Sequence, residues 1–306
     1  MEYGKLINQA YRIALHNRAL WPFGVFAAVG GGGFNFSFDT GGSGGDGGGD
    51  SLDIDPAVIA AVVIVVLLVM ALSAVATALS QGALAEGVAA IDRGEQRGFR
   101  QALRAGRATF WRVVGLYLLF VLIGLGVLLA LAVVAGGAVL AAFTVTDAVV
   151  LRVLAIVFAV LAALVTVVAL LLPLFLIHQH AQREVVLGGA RPVAALRGGW
   201  RTLRANIGSS IVLLLIQQGL VLAGYVAIGL CAAIGFIPAI VVLVASGAGA
   251  AGIVVAAVTA LVVVPAALAA AGAVGTFGHG LWTLGYLRMT GGQAVGWPST
   301  TDQGVA

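Results

Sequence analysis

Hydrophobic positions along this chain come in long unbroken runs separated by short polar clusters, without the close alternation of a soluble domain. Five windows, Ala57 to Ser80, Val113 to Ala135, Val153 to Ile177, Ile211 to Ile234 and Ile253 to Val274, contain no charged side chain. Each exceeds the roughly 18 to 20 apolar residues needed to cross a hydrocarbon core of about 30 Å. In that solvent every backbone amide must be satisfied within its own segment, so the runs predict helices and an all-α fold, a polytopic transmembrane helix bundle. Composition agrees: 61% of residues are apolar and 9% charged, with a mean hydropathy of +1.11, against about a quarter charged in soluble domains.

Charge sets the expected orientation. Bases cluster at Lys5, Arg12 and Arg18, then at Arg93, Arg97, Arg100, Arg104, Arg107 and Arg112, then at Arg183, Arg191, Arg197, Arg201 and Arg204, with Arg288 last. Asp39 to Asp55 carries five aspartates and no base, and the connection near Ala141 to Ala148 holds only Asp147. The positive-inside rule then places the arginine clusters in the cytoplasm and the aspartate segments outside. This requires a first crossing over Ala19 to Val29, with the Gly30 to Gly33 run and Phe34, Phe36 and Phe38 supplying the remaining length, although the apolar stretch is short and Pro22 interrupts it. The expectation is six spans with both termini cytoplasmic, in a bacterial cytoplasmic membrane. A rival reading takes Met1 to Val29 as a cleaved signal peptide. No charge occurs from Ala205 to Leu287, so two or three spans fit there; Arg288 favours two, with Gly235 to Gly252 as an external or partly re-entrant connection.

Residues 30 to 55 form the expected external glycine- and aspartate-rich loop, too poor in apolar surface to order itself, with Asp55 and Pro56 as N-cap and first helical position of the next span. Gly41 to Asp46, GGSGGD, starts like a calcium nonapeptide repeat, but Gly48 stands where a large apolar residue is due and no tandem copy follows. A flexible tether is the expected role. Residues 291 to 306 read as a flexible tail.

The chain repeats itself. ALRAGRATFWRVVG (Ala102 to Gly115) over ALRGGWRTLRANIG (Ala195 to Gly208) gives six identities in fourteen positions, and YRIALHN (Tyr11 to Asn17) is a fainter copy of WRTLRAN (Trp200 to Asn206). The architecture expected is a single membrane domain of three pseudo-repeats, about 1–81, 82–177 and 178–290, each an interfacial basic helix followed by a transmembrane hairpin. Arg93, Arg97, Arg100, Arg104 and Arg107 are four, three, four and three apart, one stripe of a helix; Arg197, Arg201 and Arg204 form a second. Such helices can lie in the inner headgroup layer with guanidinium groups on lipid phosphate. Arg97, Arg100, Arg104, Arg107, Arg197, Arg201 and Arg204 are therefore the candidate contacts to anionic phospholipid or a protein partner. Topology-setting anchors are the plainer account. Nucleic-acid binding is not expected, because the stacking aromatics of a single-strand platform are missing.

Catalytic chemistry finds little footing. His178 and His180, two apart, point about two hundred degrees from each other on a helix and cannot chelate one ion together, so no metal site, cofactor site or catalytic residue is assigned. Glu86 and Glu184 occupy corresponding positions after two spans and are expected to cap helices or pair with arginines. Gln217 and Gln218 are the strongest polar residues within a span: helix-to-helix hydrogen bonds are the plain account, an intramembrane polar site of a permease or lipid-moving transporter the sharp one. Cys231 reads as a small buried hydrophobe.

YGKLINQAYRIALHNRALWPFG at the start, the GGGGFNF run, ALRGGWRTLRAN, and HGLWTLGYLRMTG (His279 to Gly291) together resemble uncharacterised six-span bacterial membrane proteins related to the membrane domain found beside some glycerophosphodiester phosphodiesterases. The resemblance implies a fold and a membrane location and points toward phospholipid biology; it transfers no catalytic motif, and the soluble phosphodiesterase barrel is absent. A membrane module without an enzymatic site is the function expected, with the transporter as the alternative.

Overall fold

A computed structural model describes residues 2–30, 56–145, 148–245 and 249–291. Among them are eight α-helices, α1 (Tyr3–His16), α2 (Trp21–Gly30), α3 (Pro56–Asp92), α4 (Phe99–Val145), α5 (Val149–Leu187), α6 (Pro192–Ala205), α7 (Ile207–Ala245) and α8 (Ala250–Met289), with a 3-10 turn at Arg18–Leu20 and no strand. The all-α expectation holds. The external loop, the calcium-like GGSGGD, the Asp55 cap, Asp147 and the tail lie outside the described residues, as does the second half of the expected first span.

Five helices, α3, α4, α5, α7 and α8, are long and apolar enough to cross a membrane, consistent with a multi-pass membrane protein. All are longer than a crossing needs. The 37 residues of α3 extend about 55 Å at 1.5 Å per residue, against a hydrocarbon core of about 30 Å. Exposure divides them accordingly. In α3 the side chains from Ala57 to Leu72 are exposed on every side and burial begins at Thr77; in α5 exposure ends at Leu172 and burial begins at Leu176; in α8 the change falls between Leu268 and Ala271. A helix apolar around its whole circumference suits lipid, whereas the other half, with its small and polar residues, is packed in protein.

The chain divides into two compact units, Met1–Ala108 with Leu213–Leu284, and Thr109–Val212 with Gly285–Ala306. These limits fall inside α4, α7 and α8, not at the repeat boundaries.

In the first unit α1 buries Leu6, Ala10, Ile13 and Ala14. Pro22 does not break the following helix. It occupies the first turn of α2, where its missing N–H is no loss, and Trp21 donates its indole N–H to Ala14 O at 2.7 Å. α2 lies against α8 through glycine: a methyl on Gly24 would strike the Gly272 carbonyl, and one on Gly275 the Gly24 backbone. Small residues let helix backbones approach in this way. Thr77 of α3 donates to Phe26 O at 3.1 Å. α7 and α8 are antiparallel, since Gly224 packs on Val274 and Gly235 on Val263, eleven residues forward on one helix and eleven back on the other. The Ala205 to Leu287 stretch thus holds two long helices. The connection expected at Gly235 to Gly252 is shorter: α7 continues through Pro238 to Ala245.

In the second unit α6 packs along the last turns of α5, burying Ala195, Gly198, Gly199 and Leu203. A methyl at Gly199 would lie 2.8 Å from both Ile177 O and Ala181 N. The repeated glycine Gly106 occupies the same niche in the first unit, facing Leu79 O and Ala83 N. Each glycine seats its helix across residues i and i+4 of the helix before it.

The separate basic helix expected before each hairpin exists as α1 and as α6, but the second copy is continuous with its span in the 47-residue α4. One residue accounts for the difference. Asn17 and Asn206 end their helices identically, turning both the main-chain N–H and the side-chain amide back onto the carbonyl four residues earlier: Asn17 onto Ile13 O at 3.2 and 2.9 Å, Asn206 onto Thr202 O at 3.1 and 3.2 Å. The second copy has Val113 at that position, which has no amide to compete with the backbone ladder, so the helix runs on.

Candidate functional site

The densest buried polar cluster lies in the second unit, on the final turns of α5. Gln179, His180, Gln182 and Arg183 are all buried, Arg183 at 1% exposure. The Arg183 guanidinium donates through Nη1 to Gln179 O at 2.8 Å, Gln179 Oε1 at 2.6 Å and Gln182 Oε1 at 2.9 Å. Removing an ion from water is expensive, and three oxygens on one guanidinium nitrogen offset part of that cost. His180 Nε2 lies 2.9 Å from Ser210 Oγ near the start of α7, and Ser210 in turn faces Met289 Sδ at 3.9 Å. Tyr286 donates its hydroxyl to Glu184 Oε2 at 2.8 Å.

The two histidines diverge as their spacing requires. His180 turns to Ser210, while the His178 ring lies edge-on to Phe120 at 4.8 Å and beside Tyr117 at 5.1 Å. Among the described residues no three His, Cys, Asp or Glu side chains gather to hold a metal ion. Sequence reasoning missed the His180–Ser210 pair because thirty residues separate the partners. A serine at 2.9 Å from an imidazole has the spacing of a nucleophile and its base. Both residues are sealed at 0% exposure, so the pair locks α5 to α7 instead of meeting a substrate.

The first unit holds the counterpart of this cluster. Gln81, Ala83, Glu86 and Val88 recur at identical spacing as Gln179, Ala181, Glu184 and Val186. That recurrence was legible in the sequence and extends the repeat into the helix on which each glycine sits. Of the two roles expected for these glutamates, capping or pairing with arginine, Glu86 takes the second, accepting from Arg97 at 2.9 Å and facing Arg93 at 4.0 Å. Glu184 uses Tyr286 instead. Glu95 completes the turn, accepting from Arg93 at 2.8 Å and Arg97 at 3.0 Å. The Arg93 hydrogen bond, reinforced by the charges of both arginines, holds the Glu95 carboxyl below its ordinary range.

The expected five-arginine stripe is therefore shorter. Arg93 and Arg97 precede α4 and belong to this ionic turn; the helical part begins with Arg100. Arg100, Arg104 and Arg107 are exposed on α4, and Arg197, Arg201 and Arg204 on α6, while Ala102 and Gly106, and Ala195, Gly198, Gly199 and Leu203, are buried. Trp200 of α6 is also 50% exposed. Gln217 and Gln218 do not share a site: Gln217 accepts the Trp282 indole N–H at 2.6 Å, and Gln218 is exposed. Cys231 is exposed, not buried, since it falls in the half of α7 that faces outward. No known family matches the chain, and no curated protein or solved structure matches it either.

Proposed function

We propose that this chain is a non-enzymatic, multi-pass membrane module whose Arg-rich helices, at the cytoplasmic face of a bacterial inner membrane, contact anionic phospholipid or a protein partner. One observation carries the reading: Arg100, Arg104, Arg107, Arg197, Arg201 and Arg204 are all exposed on helices whose opposite faces are buried through repeated glycines. Guanidinium groups on helices packed in this way lie on the side away from the protein contact, and each base near an anionic leaflet contributes about 1 kcal/mol. The resemblance to membrane domains found beside glycerophosphodiester phosphodiesterases belongs to the same proposal. The transporter alternative is weaker, because the Gln217 amide is engaged in joining α7 to α8.

The test is boundary-lipid selectivity of the full chain in vesicles, read with spin-labelled lipids. Phosphatidylglycerol should be held more strongly than phosphatidylcholine, the preference should fall with salt, and changing the six arginines to Gln should abolish it. Equal selectivity in that variant would refute the lipid-contact reading.

A further inference from the structure

α1 is flanked by two grooves, both within the first unit. On one side Lys5, Asn8, Arg12 and His16 line a polar groove of about 500 Å³ against Ile91 and Asp92 at the end of α3. On the adjoining face an apolar groove of about 470 Å³ is walled by Gly4, Tyr11 and Leu15 of α1 and by Leu220, Val274 and Phe277 of α7 and α8. Asn8 borders both.

We propose that the apolar groove seats an acyl chain of one glycerophospholipid, whose phosphate is met by Lys5 and Arg12. Four observations argue for lipid as the occupant. The groove opens at the seam of the α7–α8 hairpin, where the outward-facing apolar halves begin: Leu222 is 65% exposed on one helix and Leu268 51% on the other. A chain leaving the groove along these helices stays against apolar side chains. The basic residues follow the same helix at the adjoining face, so charge and apolar surface lie in the order of a phospholipid's own phosphate and chain. Lys5 pairs with Glu2, each side chain more than two-thirds exposed, an interaction weak enough to exchange for a phosphate. Asp92, which accepts from Gln9 across the polar groove, sets the far limit of the phosphate position. Finally, Gly4 leaves room: a methyl there would meet nothing within 4 Å. The inference rests on the bilayer reading but not on the arginines of α4 and α6.

Native mass spectrometry of the full chain, purified in detergent and titrated with phosphatidylglycerol, tests it. The expected result is one lipid retained per chain at low lipid. Gly4→Trp, which fills the groove from open space, should weaken retention at least about tenfold, the equivalent of two buried methylenes; Leu15→Trp is the second groove variant should the first fail to fold. Lys5→Gln with Arg12→Gln should weaken phosphatidylglycerol retention several-fold. Gly126→Trp, on an outward-facing half of α4 with nothing within 4 Å, should retain lipid as the parent does. Unchanged retention in folded groove variants overturns the proposal. So does displacement of the lipid by inorganic phosphate or chain-free glycerophosphoglycerol as effectively as by phosphatidylglycerol itself. Loss of boundary selectivity in the six-arginine variant with the retained lipid intact would refute the proposed function alone.

Discussion

The substitution Gly199→Ala separates two opposing effects whose sizes can be worked out from the structure. Alanine is the better helix former, by about 1 kcal/mol over glycine in a helix interior. On that ground alone the variant should be more stable. Its methyl group, however, would stand 2.8 Å from Ile177 O and from Ala181 N, roughly 0.6 Å closer than non-bonded atoms tolerate. Both obstacles are backbone atoms of α5, so no rotamer change relieves them and α6 must lift away from α5. Overpacking of this kind costs about 1 to 3 kcal/mol. Contacts made by Ala195, Gly198 and Leu203 loosen at the same time, and the net expectation is a loss of about 1 to 2 kcal/mol. For a unit of this size that lowers the unfolding midpoint by roughly 3 to 6 °C, readable by thermal fluorescence in detergent. Gly208→Ala, whose methyl meets nothing within 4 Å, is the control and should be neutral or slightly stabilising. Gly106→Ala should behave as Gly199→Ala does, since its methyl faces Leu79 O and Ala83 N in the same arrangement. A midpoint for Gly199→Ala equal to or above that of the control would refute the seating of α6 by this glycine, and with it the structural equivalence of the two repeats.

Tyr286→Phe removes the donor to Glu184 and should cost about 1.5 to 3 kcal/mol, the range of hydrogen bonds to charged groups, seen as a lower midpoint in the same assay. Asn206→Ala and Asn17→Ala each delete a side-chain amide bond to the carbonyl four residues back and should each cost about 1 kcal/mol; amide exchange should quicken in the last turn of the affected helix. Glu95, depressed by the Arg93 hydrogen bond, should titrate below the ordinary carboxylate range in carbon-detected NMR. Any stability this pairing contributes is present above the ordinary carboxylate value and lost as pH falls through the depressed one; Arg93→Gln should return the Glu95 titration toward the ordinary value.

The membrane character of this protein was legible in the sequence because it depends on one-dimensional quantities. An uncharged run such as Ile253 to Val274 is long enough to cross hydrocarbon whatever it packs against, and the backbone must then be helical. The repeat was partly legible for the same reason, as Ala102 to Gly115 over Ala195 to Gly208. Its consequence was not. Whether a basic segment ends or continues into its span turns on Asn206 against Val113, a single capping position whose weight shows only when the helix that follows is seen. Side-chain partnership was decided by tertiary structure alone. Arg97 reads as part of a helical stripe until the turn before α4 brings it onto Glu86, and Ser210 has no chemical distinction until α7 sets it against His180. Periodicity and hydropathy are properties of neighbours along the chain, so the sequence determined the spans and their helicity. Helix faces separated by tens of residues meet through contacts that no local pattern records, close packing at glycine and side-chain hydrogen bonds among them, and that meeting placed the polar cluster, the ionic turn and the grooves beside α1.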